Sequence, residues 1–362
     1  MELSTDTFTL RPWQPGDAEA VYRACQDPAI QRWTRVPVPY LPEHAEGFVR
    51  SASPDMFGIF APDGELLGSI GVVGHDADAR VAEVGYWVTP WARGRGVTTR
   101  ALMLFSEWAF ANLGIQRLLW RAKIGNHASR LVAERAGFVM EAVQRKALID
   151  RDGEPVDGWE GALLPGEVPA EPVTVDGRQT RAFSAEQPVI AGDGVTLRPV
   201  EDRDAPRLHE ACLDEDILRW TSVPHGYTAE MAASFPARTR RQWIAGEAAV
   251  FAICGPDGEW AGNIDLRLDS YGAKTADIGY LISPSARGNG YATAALRAVT
   301  AWGFDTLGLE RIEWRAHEDN LASRRVAEKA GFTIEGLQRA RLPHRGERVN
   351  CWLAAILATD PR

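Results

Sequence analysis

The chain has 362 residues, enough for two domains of ordinary size, and its composition of 45% hydrophobic and 25% charged residues is typical of globular proteins. A formal net charge of -9 argues against nucleic acid as a partner, because phosphate backbones bind to basic surfaces. Since no apolar run reaches the roughly 18 residues that span a membrane and no secretory signal is recognisable, we expect a cytoplasmic protein without a membrane partner.

The predicted elements occur twice in the same order. Each copy begins with a short strand, a helix, a proline-rich loop and a second helix, followed by a hairpin with a Pro-Asp-Gly turn. A strand, a glycine-rich loop, a long helix, a strand, a helix that ends before glycine and two final strands complete the copy. In the first copy the predicted bounds are Phe8–Arg11, Glu43–Ser51, Met56–Ala61, Leu66–Val73, Ala82–Val88, Thr98–Asn112, Arg117–Ala122 and Ala128–Ala136, and the long helix of the second copy is predicted over Ala292–Thr306.

Repeated motifs place the two copies nearly 190 residues apart. Thr-Leu-Arg-Pro at 9–12 recurs at 196–199, and most later motifs recur at a spacing of 194. This period is too long for a solenoid and indicates a duplicated domain. We therefore predict an N-terminal domain over residues 1–165, a linker over 166–192 that is rich in Pro, Glu, Ala and Gly, and a C-terminal domain over 193–362.

The most informative segment is the glycine-rich loop between a strand and the long helix. Alternate glycines let backbone N–H groups face one phosphate group, and the helix N-terminus adds partial positive charge. A tight turn before a helix is the alternative, but two occurrences in register favour a pyrophosphate site. The candidate cofactor-binding residues are Arg93, Gly94, Arg95, Gly96, Val97 and Thr98 in the first copy and Arg287, Gly288, Asn289, Gly290, Tyr291 and Ala292 in the second.

These loops resemble the coenzyme A signature of GNAT acetyltransferases, Arg/Gln-x-x-Gly-x-Gly/Ala, and both copies are similar to the RimJ/RimL-like group that acetylates protein N-terminal amines. The second copy fits the signature fully, whereas Thr98 departs from it at the last small position. The resemblance implies an α/β fold of two tandem GNAT domains, each a central twisted mixed β-sheet flanked by helices. It implies acetyl-CoA as co-substrate and no metal. It also implies that backbone N–H groups near Trp87-Val88 and Leu281-Ile282 polarise the thioester carbonyl.

An Asn-x-x-Ser motif opens the helix that follows the next strand in both copies. Asparagine at this place is also a good helix N-cap. The resemblance implies that Asn126 and Asn320 contact the pantetheine arm and that Ser129 and Ser323 protonate the leaving thiolate. Many other GNAT enzymes use a tyrosine four residues after this serine, where both copies here have alanine.

An acidic residue precedes the glycine loop on the same strand, Glu83 in the first copy and Asp277 in the second. In histone-acetylating relatives a glutamate at this position is the general base, which makes both residues catalytic candidates. A solvent-facing acid on an alternating strand is the alternative. RimL-like enzymes can place a glutamate after Gly-Phe instead, and none stands there in either copy, so the base stays open.

Aromatic residues in the loop before the second helix are the candidates for binding the acceptor amine. Trp33, Tyr40, Trp220 and Tyr227 occupy matching loops and either line a substrate pocket or belong to the core. We predict an N-acetyltransferase for a protein N-terminal α-amine or a small-molecule amine, with the two copies as a pseudo-dimer and a further homodimer open. The alternatives are an acetyl-CoA-binding sensor with one or both copies inactive, and an antibiotic- or polyamine-modifying enzyme.

Overall fold

The computed structural model describes residues 2–361 and divides into two compact units, residues 1–175 and 176–362. In the first unit the strands are β1 (Leu3–Ser4), β2 (Thr9–Pro12), β3 (Met56–Phe60), β4 (Leu66–Asp76), β5 (Val81–Val88), β6 (Arg117–Lys123), β7 (Val139–Ile149) and β8 (Pro155–Leu163), and the helices are α1 (Ala18–Ala24), α2 (Pro28–Trp33), α3 (Pro42–Ser51), α4 (Val97–Asn112) and α5 (His127–Arg135). The strands form one mixed sheet in the order β1-β2-β3-β4-β5-β6-β8-β7.

The second unit repeats this architecture. Its strands are β9 (Ile190–Gly192), β10 (Val195–Pro199), β11 (Ala248–Cys254), β12 (Trp260–Leu268), β13 (Thr275–Ile282), β14 (Arg311–His317), β15 (Thr333–His344) and β16 (Glu347–Leu357), and its helices are α6 (Arg178–Ser184), α7 (Ala205–Ala211), α8 (Glu215–Trp220), α9 (Ala229–Ala245), α10 (Tyr291–Trp302) and α11 (Leu321–Lys329). The sheet order is β15-β16-β14-β13-β12-β11-β10-β9. Two mixed sheets flanked by helices confirm the predicted fold class.

A gap opens in the middle of each sheet. The parallel strands β5 and β6 pair over four residues, from Val81 to Val84, yet β5 continues to Val88 beside β4. In the second unit β13 pairs with β14 as far as Ile278 and continues to Ile282 beside β12. The last four residues of each long strand therefore border a space between two parallel strands, and the glycine loop follows directly.

The repeated Thr-Leu-Arg-Pro motif has a structural role. Arg198 donates to both carboxylate oxygens of Asp204, at 2.8 and 2.7 Å, and the Asp204 side chain is only 2% exposed. Arg11 and Asp17 form the same bidentate pair in the first unit, at 2.8 Å for both bonds. Each pair fixes the turn between the opening strand and the first helix, because two parallel N–H···O bonds define the geometry of both side chains.

Several element bounds differ from the predictions. A short helix, α2 or α8, stands where a proline-rich loop was predicted, and the side chain of Asp27 or Asp214 caps its N-terminus. The helix α10 ends at Trp302 rather than Thr306, and a π-helical turn, Gly303–Leu307, follows it. These short elements lie between well-predicted neighbours, where local periodicity carries little information.

The segment between the copies contains regular structure. Val173 donates its N–H to the carbonyl of Arg135 in the first unit. Helix α6 and strand β9 belong to the second unit, and β9 pairs with β10. The predicted linker, 166–192, thus contributes residues to both units, and its bounds stay a prediction.

Candidate active site

The glycine loops have the backbone that their sequence predicts. Gly94 and Gly96 have φ values of +76° and +72°, and Gly288 and Gly290 have +81° and +80°, a region that favours glycine. A Cβ added at any of the four would meet no atom within 4 Å, so open space lies over the loop. Gly96 and Gly290 are also the N-caps of α4 and α10. The first free N–H groups of these helices are thus available to an anion.

The arginines that begin the loops lie in ion pairs. Nη2 of Arg93 is 2.5 Å from Oδ1 of Asp27, the residue that caps α2. Arg287 pairs with Asp214 and, at 3.2 Å, with Asp216. Each guanidinium group thus links the start of a short helix to the loop, because the N-cap aspartate provides a nearby carboxylate. The cofactor-binding role of both arginines stays a prediction.

A buried hydrogen-bond network surrounds Ser129 in the first unit. Its Oγ donates to Oη of Tyr86 at 3.1 Å and accepts from Nε1 of Trp120 at 3.1 Å. Tyr86 donates in turn to the main-chain carbonyl of Ser129 at 2.9 Å. Burial raises the pKa of the Tyr86 phenol above its ordinary value, so it stays protonated near neutral pH.

The second unit repeats the serine–tyrosine part of this network around Ser323. Oγ of Ser323 is 2.8 Å from Oη of Tyr280. Burial raises the pKa of Tyr280 to about 12, while the hydrogen bonds from Ser323 and Trp314 oppose that rise. The site assignments from sequence missed both tyrosines and both tryptophans. All four recur at a spacing of 194 residues, which was a usable signal.

The asparagines of the Asn-x-x-Ser motif are helix N-caps. Oδ1 of Asn126 accepts the N–H of Ser129 at 3.3 Å, and Oδ1 of Asn320 accepts that of Ser323 at 3.1 Å. These bonds fix the first turn of α5 and α11, and each serine in that turn lies within hydrogen-bond distance of a tyrosine. The amide N–H₂ group of each asparagine takes no part in the cap.

Backbone donors face the gap in each sheet. Thr89 donates its N–H to Leu67 on the β4 side, so the preceding N–H, that of Val88, points to the opposite side. Ser283 donates to Ala261 in the second unit, and Ile282 is directed into the gap by the same alternation. Trp87 and Leu281 lie next to these donors and project their side chains from the other face of the strand.

The strand carboxylates Glu83 and Asp277 are ion-paired. Glu83 pairs with Arg121, and both oxygens of Asp277 accept bonds from Nη1 of Arg315, at 2.7 and 2.9 Å. Alternation along β13 places Asp277 on the face opposite Tyr280. The acids and serines thus lie on opposite faces of each sheet, and the gap between the parallel strands connects the faces.

One cavity of about 970 Å³ joins these features in the second unit. It begins at Arg287–Thr293, passes Tyr280 and Ser323 at the gap, and reaches Trp220 and His317 on the other face. Such a space can hold a donor and an acceptor at once, one from each face of the sheet, with their reacting groups meeting in the gap.

The family model for the Acetyltransferase (GNAT) domain matches the chain twice, over residues 7–139 and 195–333. The chain belongs to the GNAT acetyltransferase family. Both matches begin near the Thr-Leu-Arg-Pro strand and end at the start of the strand after the Asn-x-x-Ser helix. The tandem duplication predicted from the repeated motifs is therefore confirmed at the level of the family.

Relatives of this GNAT protein each match less than half of the chain. The "Probable N-acetyltransferase YjcK" of Bacillus subtilis is 38% identical over 178 residues, 48% of this chain and 98% of the relative. The spermidine N(1)-acetyltransferase of Escherichia coli is 27% identical over 143 residues, 39% of this chain and 74% of the relative. Among solved structures, Mycobacterium smegmatis RimJ in complex with CoA-disulfide is 28% identical with a TM-score of 0.43, and covers 47% of this chain and 86% of its own. The chain is an N-acetyltransferase with two tandem RimJ/RimL-like domains.

The aromatic residues predicted for the acceptor side of this acetyltransferase differ in their placement. Trp220 lines the cavity of the second unit, and Trp33 is half-buried at the end of α2. Tyr40 is only 5% exposed and packs in the core of the first unit, and Tyr227 packs against a buried cluster of the second. Both tyrosines thus pack with buried clusters, and the substrate-binding role of the four aromatic residues stays a prediction.

Thr98 is the position at which the first GNAT copy departs from the coenzyme A signature. Thr98 is buried beneath the loop and leaves the space above the glycines open.

Within residues 2–361 no group of three side chains is arranged as a metal site. No helix in the same range is long and apolar enough to cross a membrane.

Proposed function

We propose that this protein binds acetyl-CoA at its glycine loops and transfers the acetyl group directly to a primary amine, either the α-amine of a protein N-terminus or a small-molecule amine. The second unit is the better supported of the two. The observation that carries the proposal is its cavity, in which the glycine loop, the gap in the sheet and the Ser323–Tyr280 pair border one continuous space.

The loop residues fit a diphosphate. Gly288 and Gly290 leave open space over the backbone, and the N-terminus of α10 directs its free N–H groups toward that space. Asn320 keeps an amide donor for the arm that follows the diphosphate, and the N–H of Ile282 faces the gap where a carbonyl would be polarised. The RimJ relative solved with CoA-disulfide supports this assignment.

The serine is suited to protonate the leaving sulfur. Ser323 lies at the gap, and Tyr280 is held protonated beside it by burial. A phenol that keeps its proton can return one to the serine oxygen as the serine donates. Ser129 and Tyr86 have the same relation in the first unit.

The pKa of the acceptor amine determines how strong a base the reaction needs. A lysine side chain of pKa about 10.4 is roughly 0.1% neutral at pH 7.4, which costs about 4 kcal/mol, whereas an α-amine of pKa about 7.7–8 costs less than about 1 kcal/mol. Neither paired acid, Glu83 or Asp277, is free to act as a strong base. This favours α-amines and other amines of low pKa.

Calorimetric titration of acetyl-CoA into the intact protein and into two single variants tests the proposal. Gly96→Glu and Gly290→Glu each place a bulky anion where a diphosphate would lie, on a backbone of positive φ. We expect two binding events in the parent and one in each variant, because the charge repels the diphosphate and the residue strains the loop.

The remaining outcomes separate the alternatives. One event that only Gly290→Glu abolishes would leave the second unit as the working site and the first as a degenerate copy. Binding without acetyl transfer to any amine would favour the sensor. No binding in the parent would contradict the proposal outright. Gly64→Ala, in a hairpin turn of the first unit that also has positive φ, is the control for backbone strain alone.

A further inference from the structure

The two units differ in the chemistry of one strand of the sheet. Along β12 of the second unit, Asp265 and Arg267 project from the face that α7–α9 cover, because Ile264 and Leu266 between them belong to the core on the other face. At a spacing of 194 residues the first unit has Gly71 and Val73. The second unit therefore has an additional carboxylate and guanidinium on the acceptor face of its sheet.

Asp265 lies at the edge of the gap. It is paired in register with Gly279 of β13, the first residue after the pairing with β14 ends. A Cβ built on Gly279 would be 3.2 Å from Oδ1 of Asp265, so the carboxylate lies directly over the backbone there. The next residue, Tyr280, holds Ser323 on the opposite face. The carboxylate and the serine are thus separated by little more than the thickness of the splayed strand.

The carboxyl group is only partly satisfied. The Asp265 side chain is 24% exposed toward the cavity, but its Oδ2 is buried and no hydrogen bond is directed at it. Nη1 of Arg267 lies 2.6 Å from this Oδ2 as an ion-pair partner, and the arginine side chain is 54% exposed. Burial raises the pKa of Asp265 to about 6, while Arg267 opposes the rise and Asp277 adds to it.

Other charged groups line the same space. They come from each element packed around the carboxylate: Arg238 of α9, Arg315 and His317 of β14, and His344 of β15. Arg315 is occupied by Asp277 and Glu313, and His317 packs edge-on against His344 with ring centroids 4.3 Å apart. Asp216 of α8, which lines the loop end, pairs with Arg287. Asp265 therefore lies at the gap with one ion-pair partner, the half-exposed Arg267.

We propose that Asp265 accepts the proton of the acceptor amine in the second unit. This inference rests on the proposed function and names the base that its chemistry needs. The amine nitrogen forms a bond to the acetyl carbon, the carbon–sulfur bond breaks, and the nitrogen loses one proton to Oδ of Asp265. The sulfur takes one proton from Ser323. Asp265 later releases its proton to solvent and the serine recovers one, so the products are an amide and a free thiol.

The first unit has no carboxylate at the position that corresponds to Asp265, where its residue is Gly71. A Cβ added at Gly71 would lie 2.6 Å from Cα and 2.7 Å from Sδ of Met56, so this methionine fills the place of the carboxylate. Val73 lies in a register shift of β4, at the point where Gly74 rather than Val73 pairs with Glu83. The two units are thus expected to differ in the pH dependence of transfer.

The experiment compares Asp265→Asn with Asp277→Asn in the full chain that carries Gly96→Glu, so that turnover comes from the second unit. The acceptors are spermidine and a tripeptide with a free α-amine, and thiol release gives kcat/KM from pH 5 to 9. We expect Asp265→Asn to lower kcat/KM by about 100- to 10,000-fold and to abolish the fall in rate below about pH 6. Asp265→Glu should keep that limb, and Asp277→Asn should keep it too.

Acetyl-CoA binding, measured by calorimetry, should be unchanged in Asp265→Asn, which also shows that the variant is folded. If Asp277→Asn abolishes the acidic limb and Asp265→Asn does not, the proposal is wrong and Asp277 is the base. A parent that acetylates neither acceptor would count against the proposed function instead. In that case, carboxyl titration by NMR in labelled protein decides: the proposal fails unless a signal absent from Asp265→Asn titrates near pH 6.

Discussion

At the scale of single residues, the serine and the tyrosine form one chemical unit. Ser323 would be an ordinary helix residue in isolation, but its hydroxyl lies 2.8 Å from Oη of Tyr280, and Trp314 hydrogen-bonds to the same phenol. Desolvation keeps the phenol protonated, and a protonated phenol can pass a proton to the serine as the serine donates. The network explains why Gly-Tyr and Asn-x-x-Ser recur together in both copies.

The corresponding prediction concerns proton delivery to sulfur. We expect Ser323→Ala to lower kcat of the second unit by about 100-fold or more with acetyl-CoA affinity preserved, because the lost group acts in the transition state. Thiol release in the Gly96→Glu background measures it. Ser129→Ala in that background is the control and should change nothing. An Ser323→Ala variant with parental kcat would contradict the assignment of the acid.

At the scale of elements, the turn after the opening strand depends on a buried ion pair. Asp204 accepts a bidentate bond from Arg198 and also the N–H of Glu201 at 2.8 Å. Removal of one partner leaves a buried guanidinium without its carboxylate, which costs far more than the pair itself contributes.

We therefore expect Asp204→Ala to lower the free energy of unfolding of the second unit by about 3 kcal/mol. Urea unfolding followed by tryptophan fluorescence measures this, since a change of stability shifts the midpoint of the transition. Asp202→Ala, an exposed position in the same turn, is the matched control and should shift it by less than about 0.5 kcal/mol. Equal shifts in both variants would show that the ion pair has no special role.

At the scale of the whole molecule, each unit has a core and a sheet of its own. The residues that follow β8 belong to the first unit. Pro169 lies against Gly137, Val168 packs on the core, and Arg135 donates a hydrogen bond to the carbonyl of Val175 at 3.1 Å. A fragment that stops at residue 165 loses all three contacts.

We expect a fragment of residues 1–175 to fold alone and to be more stable than residues 1–165 by about 2 kcal/mol, the contribution of one buried aliphatic side chain and a few hydrogen bonds. Thermal unfolding by circular dichroism compares the two. Equal midpoints would place the domain boundary at residue 165, as the sequence predicted, and not near residue 175, where the structure divides.

Sequence alone was sufficient wherever a signal is local or repeated. The order of strands and helices follows from side-chain periodicity, and the loop conformation follows from glycines that need positive φ at Gly96 and Gly290. The α2 and α8 helices were missed because six residues give too little periodicity. The duplication itself was visible as pairs of motifs and needed no coordinates.

The sequence by itself determined the family, the tandem architecture and the loops that favour a diphosphate. Only the tertiary structure decided which side chains meet. Tyr280 reaches Ser323 across 43 residues of chain, and Arg287 pairs with Asp214 across 73. Asp265 faces the gap because β12 pairs with β13 in one particular register. The early end of the β13–β14 pairing is set by packing between distant segments, because parallel strands are joined through a crossover helix rather than a tight turn.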